Sequence, residues 1–205
     1  MMDNMFTVFI VDDDPAVLKA LTRLLFARGY DVRAYASPRG FLANHDPTVP
    51  GCAVLDVSMP GLDGLELQQA LTAGGSHRPV VFITGKGDIP TSVRAMKGGA
   101  VDFLTKPVND KDLLESIARA EELDAKSRQI DAELASIQTK IATLTPRERE
   151  VLSHVVAGRL NKQIAGELGT VEKTIKVHRS RMMEKLGVRT VADLVRLAEK
   201  AGISG

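Results

Sequence analysis

Short strand-like runs alternate with helical segments through the first half of the chain. The runs are Phe6–Val11, Asp31–Tyr35, Ala53–Leu55, Pro79–Ile83 and Val101–Leu104. Between them, apolar residues recur at helical spacing, as in Leu18, Leu21, Leu24 and Leu25, or Leu65, Leu67 and Leu71. Helix-start chemistry sits where four of the five helices should begin: Asp14 before Pro15, Ser37-Pro38, Pro90 near the start of the 89–97 segment, and Asp110. Apolar strands alternating with helices predict a parallel sheet covered on both faces.

In such a sheet every strand ends on the same edge, where ligands and chemistry collect. Four of these ends carry polar groups: Asp12 and Asp13, Asp56, Thr84, and Lys106. The central stretch is Ala53 to Gly64. Its apolar strand stops at Asp56, and Pro60-Gly61 and Asp63-Gly64 follow as turn chemistry. Each polar residue alone could be a turn or cap residue, as Asp14 reads. Together they predict one convergent site.

The composition narrows the setting. The single Cys52 rules out an internal disulfide and fits a reducing cytoplasm. Neither a secretory leader nor an apolar run of about 20 residues is expected, so no membrane role is expected. The net charge is +1, but residues 144–205 hold 12 Lys and Arg against 7 Asp and Glu. The rest of the chain is net acidic. A basic back half suggests a polyanionic partner.

The first half resembles the receiver domain of two-component response regulators. The residues that carry the resemblance are Asp12-Asp13, Asp56 with Pro60-Gly61 and Gly64, Thr84, and Lys106-Pro107. It implies an α/β receiver domain over about 5–121: a five-stranded doubly wound parallel sheet in the flavodoxin-like order 2-1-3-4-5. It also implies that Asp56 accepts a phosphoryl group from a sensor histidine kinase. Mg²⁺ would be held by Asp13 and Asp56, by Asp12 through water, and by the backbone carbonyl of Ser58. Lys106 would meet a phosphoryl oxygen as a point charge, and Thr84 would donate its hydroxyl. Phe103 is the aromatic that would turn inward behind Thr84, an ordinary strand aromatic being the alternative. Lys86 stands where the family tunes dephosphorylation. The Lys106-Pro107 bond matches a family position that is usually cis.

From Glu121 to Thr143, Gly and Pro vanish. Ile130, Leu134, Ile137, Ile141 and Leu144 are spaced 4, 3, 4 and 3, with Leu123 seven before Ile130. This predicts a helical linker over 122–143. It could be a short coiled coil, an amphipathic helix packed on its own domains, or a partly frayed connector.

Residues 144–205 predict a helical domain. Thr145, Pro146 and Glu148 form a capping box. Asn161 and Thr170 read as caps of the next two helices, joined through Leu168-Gly169-Thr170 as a helix-turn-helix. Val171, Ile175, His178, Met182 and Leu186 are expected to be buried. This part resembles the LuxR-type DNA-binding domain of NarL/FixJ response regulators, through Leu144-Thr145-Pro146-Arg147-Glu148, Glu150-Val151-Leu152, Gly158, Asn161-Lys162, Ile164-Ala165, Leu168 and Thr174-Ile175-Lys176-Val177-His178-Arg179. The resemblance implies that Lys176 and Val177 reach base edges, with Ser180 where some relatives carry Lys. Lys162, Lys173, Thr174, Arg179, Arg181 and Lys185 are the implied phosphate contacts.

The expected function is a phosphorylation-switched transcriptional regulator in the cytoplasm. It would be a phosphoacceptor rather than an enzyme, and would form a homodimer on phosphorylation that binds double-stranded promoter DNA. RNA polymerase is a further partner open to such a regulator. Two other classes compete: a DNA-binding regulator indifferent to phosphorylation, and a metal-dependent phosphohydrolase using Asp56.

Overall fold

The computed structural model describes residues 5–85 and 87–203. Lys86, expected to tune dephosphorylation, lies outside them. The chain forms two compact units, Met1–Arg128 and Gln129–Gly205.

In the first unit the strands are β1 (Thr7–Val11), β2 (Asp31–Tyr35), β3 (Gly51–Asp56), β4 (Val80–Thr84) and β5 (Asp102–Thr105). They alternate with the helices α1 (Pro15–Ala27), α2 (Pro38–Asn44), α3 (Gly64–Ala73), α4 (Ile89–Lys97) and α5 (Asp110–Ala142). All pairings are parallel, in the order β2-β1-β3-β4-β5. The expected sheet and its order are therefore present.

Side chains on a strand point alternately to opposite faces, and both faces of β1, β3 and β4 are buried, which explains why those runs show no polar face. Phe9, Val11, Leu55 and Phe82 enter one core with Phe41 and Leu67. Val8, Ile10, Val54, Val81 and Ile83 enter the other, with Leu25, Leu113 and Ile117. The register sets the strand ends level. Val11 pairs with Leu55, Asp56 with Ile83, and Thr84 with Thr105. Asp12 and Lys106 are the next residues after β1 and β5, so they join the same edge.

Two arginines hold the opposite edge. The Arg78 guanidinium lies 4.2 Å from the Phe9 ring centroid. Its Nε donates to His45 Nε2 over 3.1 Å, and its Nη2 donates to the carbonyls of Asp46 and Val49 over 2.8 and 3.1 Å. Burial lowers its pKa to about 10. Arg128 donates to Asp124 and to the carbonyls of Pro47, Thr48 and Val49. Asp124 also accepts from the Gly51 N–H over 3.2 Å. The loop before β3 is thus fixed by side chains distant in sequence.

Helix α5 is 33 residues long, and the division between units falls inside it. Its first turn is capped by Asn109, whose Oδ1 accepts from the Lys111 N–H over 2.8 Å. Asp110, expected as the cap, is instead the first helical residue. The heptad residues are not one continuous surface. Leu123 and Ile130 are exposed, whereas Leu144 is buried in the core of the second unit with Ile141 against it.

The second unit continues with α6 (Pro146–Val156), α7 (Asn161–Glu167), α8 (Glu172–Leu186) and α9 (Val191–Lys200). Val151, Leu152, Ile164, Ile175, Met182, Leu186 and Leu194 form its core. The capping box at Thr145 and Glu148 is present. Gly169, in the turn between α7 and α8, has φ of +62°, a region that favours glycine. Two expected caps shift by one residue. Leu160 and Val171 hold the cap positions of α7 and α8, neither with a side-chain cap. Asn161 is already helical, and Thr170 precedes the cap. Val171, expected to be buried, is 64% exposed because it lies outside the helix it starts. Among the described residues, no helix is long and apolar enough to cross a membrane.

Candidate functional site

The sheet edge brings together the acids that the strand ends carry. One carboxylate oxygen each from Asp12, Asp13 and Asp56 lies within 4.8 Å of the others. Asp12 and Asp56 are buried, and Asp13 is exposed. Two unit charges at that spacing repel by about 3 to 4 kcal/mol at an effective dielectric of about 20.

Lys106 relieves part of this repulsion. Its Nζ lies 2.7 Å from Asp12 Oδ2 and 2.9 Å from Asp56 Oδ1. Burial alone would lower the Lys106 pKa, but the hydrogen bonds and charges of Asp12 and Asp56 outweigh it and raise it. Burial pushes the Asp12 carboxyl up, against the pull of Lys106 and of the Asp14 N–H. Asp12 Oδ1 accepts that N–H over 2.9 Å, and Asp56 Oδ2 accepts the Ser58 N–H over 3.1 Å. Three carboxylates against one ammonium leave a net charge near −2, which suits a hard divalent cation with oxygen ligands.

The neighbouring loops are tightly set. Asp14 caps α1, with Oδ1 accepting from the Ala16 N–H over 2.8 Å. Gly64 opens α3 directly under Asp56: a Cβ at residue 64 would fall 2.3 Å from the Asp56 carbonyl oxygen. Thr84 is buried at the end of β4, and its carbonyl accepts the Lys106 N–H over 2.7 Å. The Lys106-Pro107 bond is cis. Phe103 is half-buried, its ring centroid 6.3 Å from that of Phe82.

The second unit offers a basic helix face. On α8, Lys173, Lys176, Val177, Ser180 and Arg181 are exposed, and Thr174 is half-buried. Lys162 is exposed on α7. Lys176 Nζ lies 3.2 Å from Glu172 Oε1, an exposed pair worth about 0.3–0.5 kcal/mol that leaves the ammonium easily recruited.

Two of the expected phosphate contacts have partners within the unit. Lys185 Nζ lies 2.6 Å from Glu148 Oε2 and donates to the Thr143 carbonyl over 3.2 Å. Arg179 Nη1 donates to Asn161 Oδ1 over 3.0 Å. Residue type and helix membership suggest a DNA role for both. Their partners, 37 and 18 residues away, leave no local signal.

Two family models match the chain. One, described as the response regulator receiver domain, covers residues 8–118, and the other, described as bacterial regulatory proteins of the luxR family, covers residues 142–198. Nodulation protein W of Bradyrhizobium diazoefficiens is 46% identical over 96% of this chain and 87% of its own length. Transcriptional regulatory protein FixJ of the same organism is 41% identical over 96% of each chain. Among solved structures, the response regulator StyR aligns with a TM-score of 0.84 at 46% identity, covering 96% of this chain and 99% of its own. Full-length FixJ from B. japonicum aligns with a TM-score of 0.58 at 39% identity, covering 98% of each chain.

Proposed function

The chain belongs to the response regulators that join a receiver domain to a LuxR-family DNA-binding domain, and from that premise we propose that phosphorylation of Asp56 switches its reading of DNA. The donor is a histidine kinase. An Asp56 carboxylate oxygen attacks phosphorus, the donor's N–P bond breaks, and an O–P bond forms on Asp56. The observation that carries this reading is the Asp12–Lys106–Asp56 bridge beside Asp13.

The net negative pocket suits Mg²⁺, which Asp13, Asp56 and the Ser58 carbonyl would hold, with Asp12 through water. When bound, the ion neutralises charge on the transferring phosphoryl group. Lys106 then turns from the carboxylates to a phosphoryl oxygen, Thr84 donates its hydroxyl, and Phe103 follows Thr84. The switch is thus a local charge change read out by loops with two arrangements.

Lys176 and Val177 reach base edges, Lys to guanine acceptors and Val to a thymine methyl, with Ser180 beside them. Lys162, Lys173, Thr174 and Arg181 meet phosphates. Ile89, Val93 and Met96 form an exposed apolar row on α4, which supports docking of a second copy after phosphorylation. Paired DNA-binding units on promoter DNA would give the selectivity that one small module lacks. The protein acts in the cytoplasm as a phosphoacceptor rather than on an external substrate.

Incubation with a small phosphoryl donor and Mg²⁺, followed by intact mass, tests the reading. One added phosphoryl group is expected, absent in Asp56→Asn or with chelator. Labelling of Asp56→Asn to the same extent as wild type would overturn the assignment.

A further inference from the structure

Arg179 lies on the DNA-reading helix, and its charge alone would place it against the DNA backbone. Its angular position says otherwise. At about 100° per residue around an α-helix, Arg179 lies about 40° from Ile175 and about 20° from Leu186. Both are fully buried. Lys173 and Ser180, on the same count, lie about 160° and about 140° from Ile175. Arg179 therefore flanks the inward seam and stands well away from the middle of the basic face.

The hydrogen bond to Asn161 gives this position a purpose. Both side chains are half-buried. Asn161 opens α7, yet its carboxamide oxygen does not cap that helix. The cap residue is Leu160, and its N–H is taken by Gln163 Oε1 over 2.8 Å. The Asn161 oxygen instead accepts from Arg179 on α8. The turn between the two helices is held separately, by Arg147 donating to the Leu168 carbonyl. The last turn of α8 is held by Lys185 on Glu148. Arg179 adds a polar tie in the middle of the helix.

We propose that Arg179 is a positioning residue. Through Asn161 it sets the rotation of α8 against α7, and so fixes which side chains meet base edges, without contacting phosphate itself. This rests on the reading of α8 as the DNA-reading helix. Removing the tie leaves the number of phosphate contacts unchanged and blurs the base contacts.

The test uses the full chain, treated with a small phosphoryl donor and Mg²⁺. The probes are a duplex selected by the wild-type chain from random sequence and an unselected duplex, titrated over a range of salt. A phosphate contact contributes about 0.9 to the slope of log affinity against log salt. Arg179→Gln and Asn161→Ala are each expected to lower the selected-to-random ratio about five- to tenfold, the scale of one lost hydrogen bond. The double variant should fall no further than either single, since both remove the same interaction. The slope should stay at the wild-type value in all three, and Asn161→Asp, which keeps an acceptor oxygen, should keep the ratio. A slope shallower by about one for Arg179→Gln, with Asn161→Ala unchanged, would overturn the proposal and make Arg179 a phosphate contact. If Arg179→Gln does not fold, Asn161→Ala carries the test alone, because it leaves every charge in place. A wild-type chain with no selected-over-random preference would instead overturn the DNA reading on which the proposal rests.

Discussion

Lys185 Nζ sits 2.6 Å from Glu148 Oε2, joining the last turn of α8 to the first turn of α6. The carboxylate is buried, whereas the Lys185 side chain is about one-third exposed. The same Glu148 oxygen also accepts the Thr145 N–H over 2.9 Å and closes the capping box. One side chain therefore starts one helix and fixes the end of another.

The two ends of this pair should not be equivalent to mutation. Lys185→Met strands a buried carboxylate and is expected to cost about 1 to 3 kcal/mol, reduced from the range for fully buried pairs by the exposure of the lysine. Glu148→Gln leaves behind a lysine that water can reach, keeps an acceptor for Thr145, and should cost less. Urea unfolding of the two variants measures the order.

The pair also predicts how stability responds to acid. The hydrogen bond from Lys185, then that from the Thr145 N–H, holds the Glu148 carboxyl below its ordinary value of 4.5. A depressed carboxyl contributes stability that is complete above the ordinary value and is lost as pH falls through the folded one. Thermal melts should therefore show the second unit losing stability below about pH 4.5, with a shallower loss in Glu148→Gln.

Lys106 lies against two of the three acids, Asp12 and Asp56, and its charge competes with a cation for them. Lys106→Met removes the competing charge and should bind Mg²⁺ more tightly, by tenfold or more if about 1.4 kcal/mol of repulsion is left unscreened. It should also accept phosphoryl groups at least tenfold more slowly, having lost the point charge. Calorimetry with Mg²⁺ and the rate of mass gain report the two effects separately.

Val171 starts α8 without a side-chain cap and stands in solvent. Val171→Ser should stabilise the second unit by about 0.5 to 1 kcal/mol, the usual benefit of a capping oxygen. A higher melting temperature checks it. An unchanged one would mean that the hydroxyl cannot reach the N–H groups of the first turn.

The sheet edge was legible because a parallel sheet turns a one-dimensional pattern into a place. Asp12, Asp56, Thr84 and Lys106 each follow or end an apolar strand, and the strand register does the rest. The caps at Asn161 and Thr170 were misread by one residue, because α7 and α8 begin without side-chain caps and give no local signal. At α5 the cap expected at Asp110 falls one residue earlier, on Asn109, whose Oδ1 accepts the Lys111 N–H. Arg78 and Arg128 left no trace in the sequence pattern. Most of their partners are carbonyls of one loop, and carbonyls are common to every residue type.

Gly64 lies within 2.3 Å, by its missing Cβ, of the carbonyl of the phosphoacceptor candidate. Any side chain there must push α3 off β3 at the residue whose carboxylate faces the acids. A library randomised at residue 64 and selected for phosphoryl uptake would thus return a single amino acid, at a site with no reactive group. Tolerance to mutation at this rim is set as much by an unoccupied hand's-breadth of backbone as by the acids beside it.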